Sequence, residues 1–113
     1  MKTLVDKKIE PTKIMQIGMG FWASKVVLTA VKIDLFTFLA RGERSGIEIK
    51  EQFKLHERGL YDFLDALVAL GFLERRGIKE TAFYINALDT NHYLDRNKPS
   101  YIGGVLEGLF LSR

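Results

Sequence analysis

The sequence predicts a mainly α-helical domain carrying one small β-hairpin. Three observations point there. Apolar residues recur at helical spacing along most of the chain, glycines close the helical runs, and two short β-prone segments flank a glycine late in the sequence. The length of 113 residues suits a single domain with a modest core, and 47% apolar with 27% charged residues is an ordinary globular balance. Cysteine is absent, which excludes disulfide scaffolds, Cys-ligated zinc and iron–sulfur clusters. Seventeen Lys and Arg against fourteen Asp and Glu leave +3, too weak a bias to demand a nucleic-acid partner.

Residues 1–10 are polar and read as a flexible lead-in. Pro11 suits the first position of a helix, where its missing N–H costs nothing. From Thr12 to Val31 the apolar residues surround the helix circumference, so the helix should be buried on more than one side, and a partner chain is the simplest cover for its remaining face. Gly18 and Gly20 cost about 1 kcal/mol each relative to Ala in a helix interior. They permit a close helix approach along Gly20 and Ser24, or a kink between two shorter helices. The Gly18-Met19-Gly20 run is no phosphate loop, because no strand precedes it.

Asp34 to Arg41 reads as a short helix ended by Gly42. Ser45-Gly46-Ile47-Glu48 fits the S-x-x-E capping box and starts a helix to about Lys54, with Ile49 and Phe53 facing the core. After a turn at Leu55 and His56, Glu57 to Leu70 carries Leu60, Phe63, Leu64 and Leu67 at i, i+3, i+4 and i+7, and Gly71 caps it. Phe72–Arg76 and Ala82–Asn86 read as two strands around a loop containing Gly77. Thr90 is placed to cap a short turn through Tyr93 and Leu94. Pro99 and Ser100 then start a last helix from Tyr101 through Val105, Leu106, Leu109 and Phe110. Three helices followed by a hairpin is the order of a winged helix-turn-helix, here with extra N- and C-terminal helices.

That topology raises the question of DNA reading, and the charges answer against it. The helix that would enter the major groove carries Glu57, Asp62 and Asp65 against Arg58, so carboxylates would meet phosphates. In the wing, Arg75, Arg76 and Lys79 outnumber Glu74 and Glu80 by only one. Chemistry is equally absent from the pattern: His56 and His92 lie in different elements without companions at metal-ligand spacing, and Asp62 with Asp65 reads as a solvated helix face. No catalytic, cofactor-binding or metal-binding residue is assigned. The apolar run near the N-terminus is free of charge only over the eleven residues from Ile14 to Ser24, whereas a bilayer span needs about 20, so the expectation is a cytoplasmic protein with no membrane partner.

The run from His56 to Arg75 (HERGLYDFLDALVALGFLER) resembles the N-terminal dimerisation domain of S-adenosylmethionine-dependent O-methyltransferases, the plant caffeate type and its bacterial relatives. Tyr84-Ile85-Asn86, Tyr93-Leu94-Asp95-Arg96 and Lys98-Pro99-Ser100-Tyr101-Ile102-Gly103-Gly104 extend the resemblance over about residues 11–111. Lys50 and Ala87 depart from the usual small apolar residue and Thr. The resemblance implies a winged-helix-like domain at 11–98 that interlocks two subunits rather than binding DNA. It also implies that residues 99–113 begin a helix leading to a Rossmann-like catalytic domain not contained in this chain.

On that reading Met15, Met19, Phe21, Trp22 and Val26 are candidates for the homodimer interface. Tyr101, Leu106 and Phe110 are candidates for lining the acceptor pocket of the parent enzyme. The chain itself would bind no cofactor, the full-length parent would use S-adenosylmethionine, and the acceptor would be phenol- or polyketide-like. The rival functions are a winged-helix transcriptional regulator using Arg75 and Arg76, and a stand-alone interaction module without a catalytic half.

Overall fold

The computed structural model describes residues 9–78 and 81–110. The expectations placed on residues 1–8, on Lys79 and Glu80 in the wing and on residues 111–113 lie outside the described residues. Within them the chain forms α1 (Thr12–Lys32), α2 (Leu35–Leu39), β1 (Arg44–Ser45), α3 (Gly46–Phe53), α4 (Glu57–Ala69), β2 (Leu73–Arg76), β3 (Phe83–Asn86), α5 (Leu88–Tyr93) and α6 (Gly103–Phe110).

α1 is one continuous helix of 21 residues, so Gly18 and Gly20 do not break it into two. Neither glycine has a neighbour within 4 Å of where a Cβ would stand, so among the described residues no second helix approaches them. Pro11 is the N-cap rather than the first helical residue, and its carbonyl accepts from Met15 N–H at 2.8 Å. The α1–α2 corner turns on Asp34, which adopts the left-handed region at φ 65°, a conformation that Asp tolerates better than most side chains.

The capping box at α3 is formed in full. Glu48 N–H donates to Ser45 Oγ at 3.1 Å and Ser45 N–H donates to the Glu48 carboxylate at 2.9 Å. These bonds hold the Glu48 carboxyl below its ordinary range, the Ser45 backbone donor being the largest cause. Ser45 has a second task, because it is also the end of a strand. The sheet has three antiparallel strands in the order β1-β3-β2, one more than the expected hairpin. Leu73 pairs with Asn86 and Arg75 with Tyr84 on one side of β3, while Arg44 pairs with Tyr84 on the other. Gly71 and Gly77 hold φ of 84° and 95°, as their turn positions require.

Two further boundaries differ from the sequence reading. Ala87, not Thr90, is the N-cap of α5, and Thr90 is buried inside that helix. The last helix begins at Gly103 instead of Tyr101, because Tyr101 N–H is taken by the Lys98 carbonyl in a turn and Ile102 N–H by the Tyr93 carbonyl.

The core is built from Leu60, Leu64 and Leu67 of α4, Leu35, Phe36 and Leu39 of α2, Ile49, Leu73, Tyr84 and the last turns of α1 at Leu28, Ala30 and Val31. Phe38 meets the half-buried Phe53 edge-on with ring centroids 5.4 Å apart. Asn86 ties β3 to α2 through its Nδ2, which donates to the Phe36 carbonyl at 2.8 Å.

Among the described residues, none gives the first half of α1 such cover. It projects, and the Cα radius of gyration of 17.3 Å exceeds the roughly 13 Å of a compact chain this long. Taken whole, α1 is long and apolar enough to cross a membrane by length and composition. Yet Lys25 lies within it and its last turns are core. The roughly 14 residues before them reach only about 21 Å, short of the roughly 30 Å of a hydrocarbon layer.

Candidate interaction surface

The projecting part of α1 presents apolar side chains to solvent. Met15 is 56% exposed, Met19 53%, Phe21 68% and Trp22 41%, with Ile14 and Ile17 exposed beside them. The cause lies in the packing: α2, α4 and α6 are the elements that pack most against α1, and its buried residues, Leu28, Ala30 and Val31, all lie in its last turns. Of the five expected interface residues, four therefore stand on this arm. Val26 is half-buried and packs against the core, at the boundary between arm and body. Lys25 Nζ lies 5.7 Å from the Phe21 ring centroid, so the nearby cation rests on an aromatic face.

At the foot of the arm lies an open groove of about 410 Å³, lined mainly by apolar residues that include Val27 and Leu28 of α1, Phe72, Tyr93 and Leu94, and Ile102 with Leu106. Asp89 and Ser24 add polar atoms to it. Among the residues expected to line an acceptor pocket, Leu106 faces this groove. Tyr101 is not part of its lining and packs instead near Arg96, whose guanidinium lies 5.1 Å from its ring centroid. Burial pushes the Tyr101 phenol above its ordinary value, with the Arg96 charge opposing. Phe110 ends α6, and its side chain is outside the described residues. Phe72 and Tyr93 reach the groove from a strand entry and a short helix, where no periodicity signals a lining role.

The groove-reading surface that DNA recognition needs is compromised twice. Arg58, Asp62, Asp65 and Ala69 form an exposed row on α4, as their spacing requires. Arg75 of β2 then donates to Asp65 Oδ1 at 2.6 Å, so a wing cation is spent on the helix beside it. Arg76 lies 3.9 Å from Glu43. The same Asp65 charge acts on the buried Tyr84 phenol, which is raised first by burial and then by that carboxylate.

His56 is the N-cap of α4 but makes no side-chain cap hydrogen bond. It borders a cleft of about 190 Å³ whose other walls include Ile33, Leu55 and Phe63. His92 packs edge-on against Tyr93 at 4.5 Å. Among the described residues no group of three His, Asp or Glu is placed to hold a metal ion.

The family model of the O-methyltransferase dimerisation domain matches residues 15–95. The tetracenomycin polyketide synthesis 8-O-methyl transferase TcmO of Streptomyces glaucescens is 47% identical over 94 residues, which are 83% of this chain and 27% of that protein. The chain thus spans about a quarter of the length of that relative. Among solved structures, human N-acetylserotonin methyltransferase in complex with SAM superposes with a TM-score of 0.79 at 21% identity, covering 92% of this chain and 31% of that one. The transcriptional repressor BigR from Xylella fastidiosa superposes with a TM-score of 0.53 at 18% identity over 93% of this chain and 100% of its own, a likeness of fold alone that agrees with the winged-helix order. With the family model covering most of the chain and running through the arm, the body and the wing, this chain belongs to the O-methyltransferase dimerisation domain family.

Proposed function

We propose that the chain is the homodimerisation and pocket-shaping module of an S-adenosylmethionine-dependent O-methyltransferase acting on a small phenol- or polyketide-like acceptor in the cytoplasm. The observation that carries this reading is the apolar first half of α1, exposed in a domain whose family is defined by dimerisation. An exposed patch of that extent is costly in water and is relieved by a second apolar surface. Two copies related by a two-fold axis supply that surface to each other. Val26 at the base of the arm, and Met15, Met19, Phe21 and Trp22 along it, are the residues assigned to the contact. Leu106, which faces the groove, is assigned to the wall of the acceptor pocket, and Tyr101, outside the groove lining, and Phe110 are assigned to parts of that wall beyond the groove. The name of the relative TcmO, tied to polyketide synthesis, supports the acceptor class.

Neither helix that directly follows a strand among the described residues offers a glycine-lined N-terminus of the kind that holds a nucleoside cofactor. A helix N-terminus that follows a strand is the place to look for a nucleoside-type ligand. α3 follows β1 directly, but its N-terminus is already satisfied by Ser45 and Glu48. α5 follows β3 through Ala87 with no glycine at the turn. Cofactor binding is therefore assigned to the remainder of the parent enzyme, and no catalytic step is assigned to this chain.

Sedimentation velocity tests the reading. At micromolar concentration the chain should run as a dimer, and a monomer up to that range would overturn the interface. Calorimetric titration with S-adenosylmethionine should show no saturable binding to these residues; a stoichiometric site would require the cofactor assignment to be withdrawn.

A further inference from the structure

α6 forms one wall of the groove and packs against α1. Leu106 packs against the core, while Val105 and Leu109 are exposed. A second attachment is polar and centres on Arg96, in the connection between α5 and α6. Its backbone N–H donates to Thr37 Oγ1 at 2.9 Å, its Nε to Asp34 Oδ1 at 2.8 Å, and its Nη2 to Glu107 Oε1 at 3.3 Å. Asp34 is the left-handed residue of the α1–α2 corner, and Glu107 lies on α6. One guanidinium therefore bridges the corner to the helix. The Tyr101 hydroxyl donates to the same Glu107 oxygen at 3.5 Å. Its ring lies where a Cβ on Gly103 would stand, so glycine is what lets it cover the first turn of α6.

The connection before α6 is anchored independently of this bridge. Lys98 Nζ donates to the Asn91 carbonyl at 2.7 Å, Ser100 Oγ donates to the His92 carbonyl, and Ile102 N–H donates to the Tyr93 carbonyl at 2.9 Å. Any movement of α6 must then begin after Ile102, at Gly103 and Gly104. Small residues at a helix end are suited to absorb such a change in backbone angles.

We propose that Arg96 is a latch: it fixes α6 against the α1–α2 corner through Asp34 and Glu107, and its release lets α6 swing about Gly103–Gly104 and alter the opening of the groove. Arg96, Asp34 and Glu107 are all partly exposed, so each pair is weak and screened by salt. Weakness is what a reversible latch needs. The planar fork of Arg can engage two carboxylates at once, which a Lys ammonium on a flexible stem does poorly.

Amide hydrogen exchange on the full chain tests this. In Arg96→Gln and in Glu107→Gln, exchange across residues 103–109 should quicken by about fivefold while α4 and β2 keep their protection. Arg96→Lys should fall between these variants and the unaltered chain. In the unaltered chain, raising salt from 0.05 M to about 1 M should quicken the same segment alone. Unchanged exchange over 103–109 in both Gln variants would overturn the latch. So would an equal rise in α4 and β2, which would make Arg96 a general stabiliser. Glu107→Gln leaves the Arg96–Asp34 pair in place and so remains informative if Arg96→Gln does not fold. The salt series needs no variant at all.

Discussion

Replacing Phe21 with alanine should separate assembly from folding. Phe21 is 68% exposed on the α1 arm, so its ring contributes little to the fold of one protomer. A fully buried Phe is worth about 2.5 kcal/mol, so covering the exposed part contributes about 1.7 kcal/mol, and a two-fold dimer counts it twice. Phe21→Ala should therefore raise the dimer dissociation constant by about three-hundredfold if the partner covers all the exposed ring, and by about twentyfold if it covers half. Within one protomer the change removes the contact with Lys25 at 5.7 Å from the ring centroid, worth about 0.5 kcal/mol at an exposed site, and alanine's better helix propensity offsets part of it. Sedimentation equilibrium over a concentration series gives the dissociation constant. Urea unfolding below the dissociation range gives protomer stability free of mass action. An unchanged dissociation constant would refute the assignment of α1 as the contact. A loss of protomer stability above about 1 kcal/mol would show instead that Phe21 is core.

Five other outcomes follow from the packing and the polar contacts. Leu64→Ala, at a fully buried position on α4, should cost about 2–5 kcal/mol in urea unfolding, a large part of the stability of so small a domain. Gly46→Ala would set a Cβ 2.7 Å from Tyr61 Cε1 and should cost about 1–2 kcal/mol, recovered in part when Tyr61→Ala is added. Ser45→Ala should cost about 1 kcal/mol by removing the α3 cap. Because the Glu48 carboxyl is lowered in the folded chain, its contribution is present above the unfolded value near 4.5 and is lost as pH falls through the folded value; an acid titration of Glu48→Gln, followed by circular dichroism, should lack that component. The Tyr84 phenol is raised by burial and by Asp65, so stability is full below about pH 10 and declines as pH rises through the folded value. Tyr84→Phe keeps the ring in the core and should flatten that alkaline decline.

Much of the body could be read from local pattern. The repeat of Leu60, Leu64 and Leu67, the Ser45–Glu48 cap and the positive-φ glycines at 71 and 77 are all set by residues within a turn or two of each other. β1 was hidden because two residues carry no alternation, and Arg44–Ser45 becomes a strand only when Tyr84 and Phe83 pair with it. Thr90 misled because a hydroxyl before a short helix resembles a cap, yet here it is buried while Asp89 Oδ1 accepts from its N–H. The arm was legible in one respect: apolar residues around the whole circumference require cover on every side. That its first half would lack cover from its own chain depends on where α2 to α6 pack. The Arg96 contacts join residues 62 apart in sequence, and no spacing rule reaches that far.

The bare first half of α1 also bears on what a lone protomer can keep ordered. Helices shorter than about 12–15 residues are marginal in water, and this stretch carries two glycines that each weaken it by about 1 kcal/mol. Without tertiary contacts the first turns must draw their order from the surface that covers them. On the proposed dimer, assembly and helix formation along the arm become a single coupled event, in which ordering entropy is set against apolar burial. Two measurable consequences attend such coupling: far-ultraviolet ellipticity that deepens with protein concentration, and a heat-capacity change on association larger than rigid docking would give.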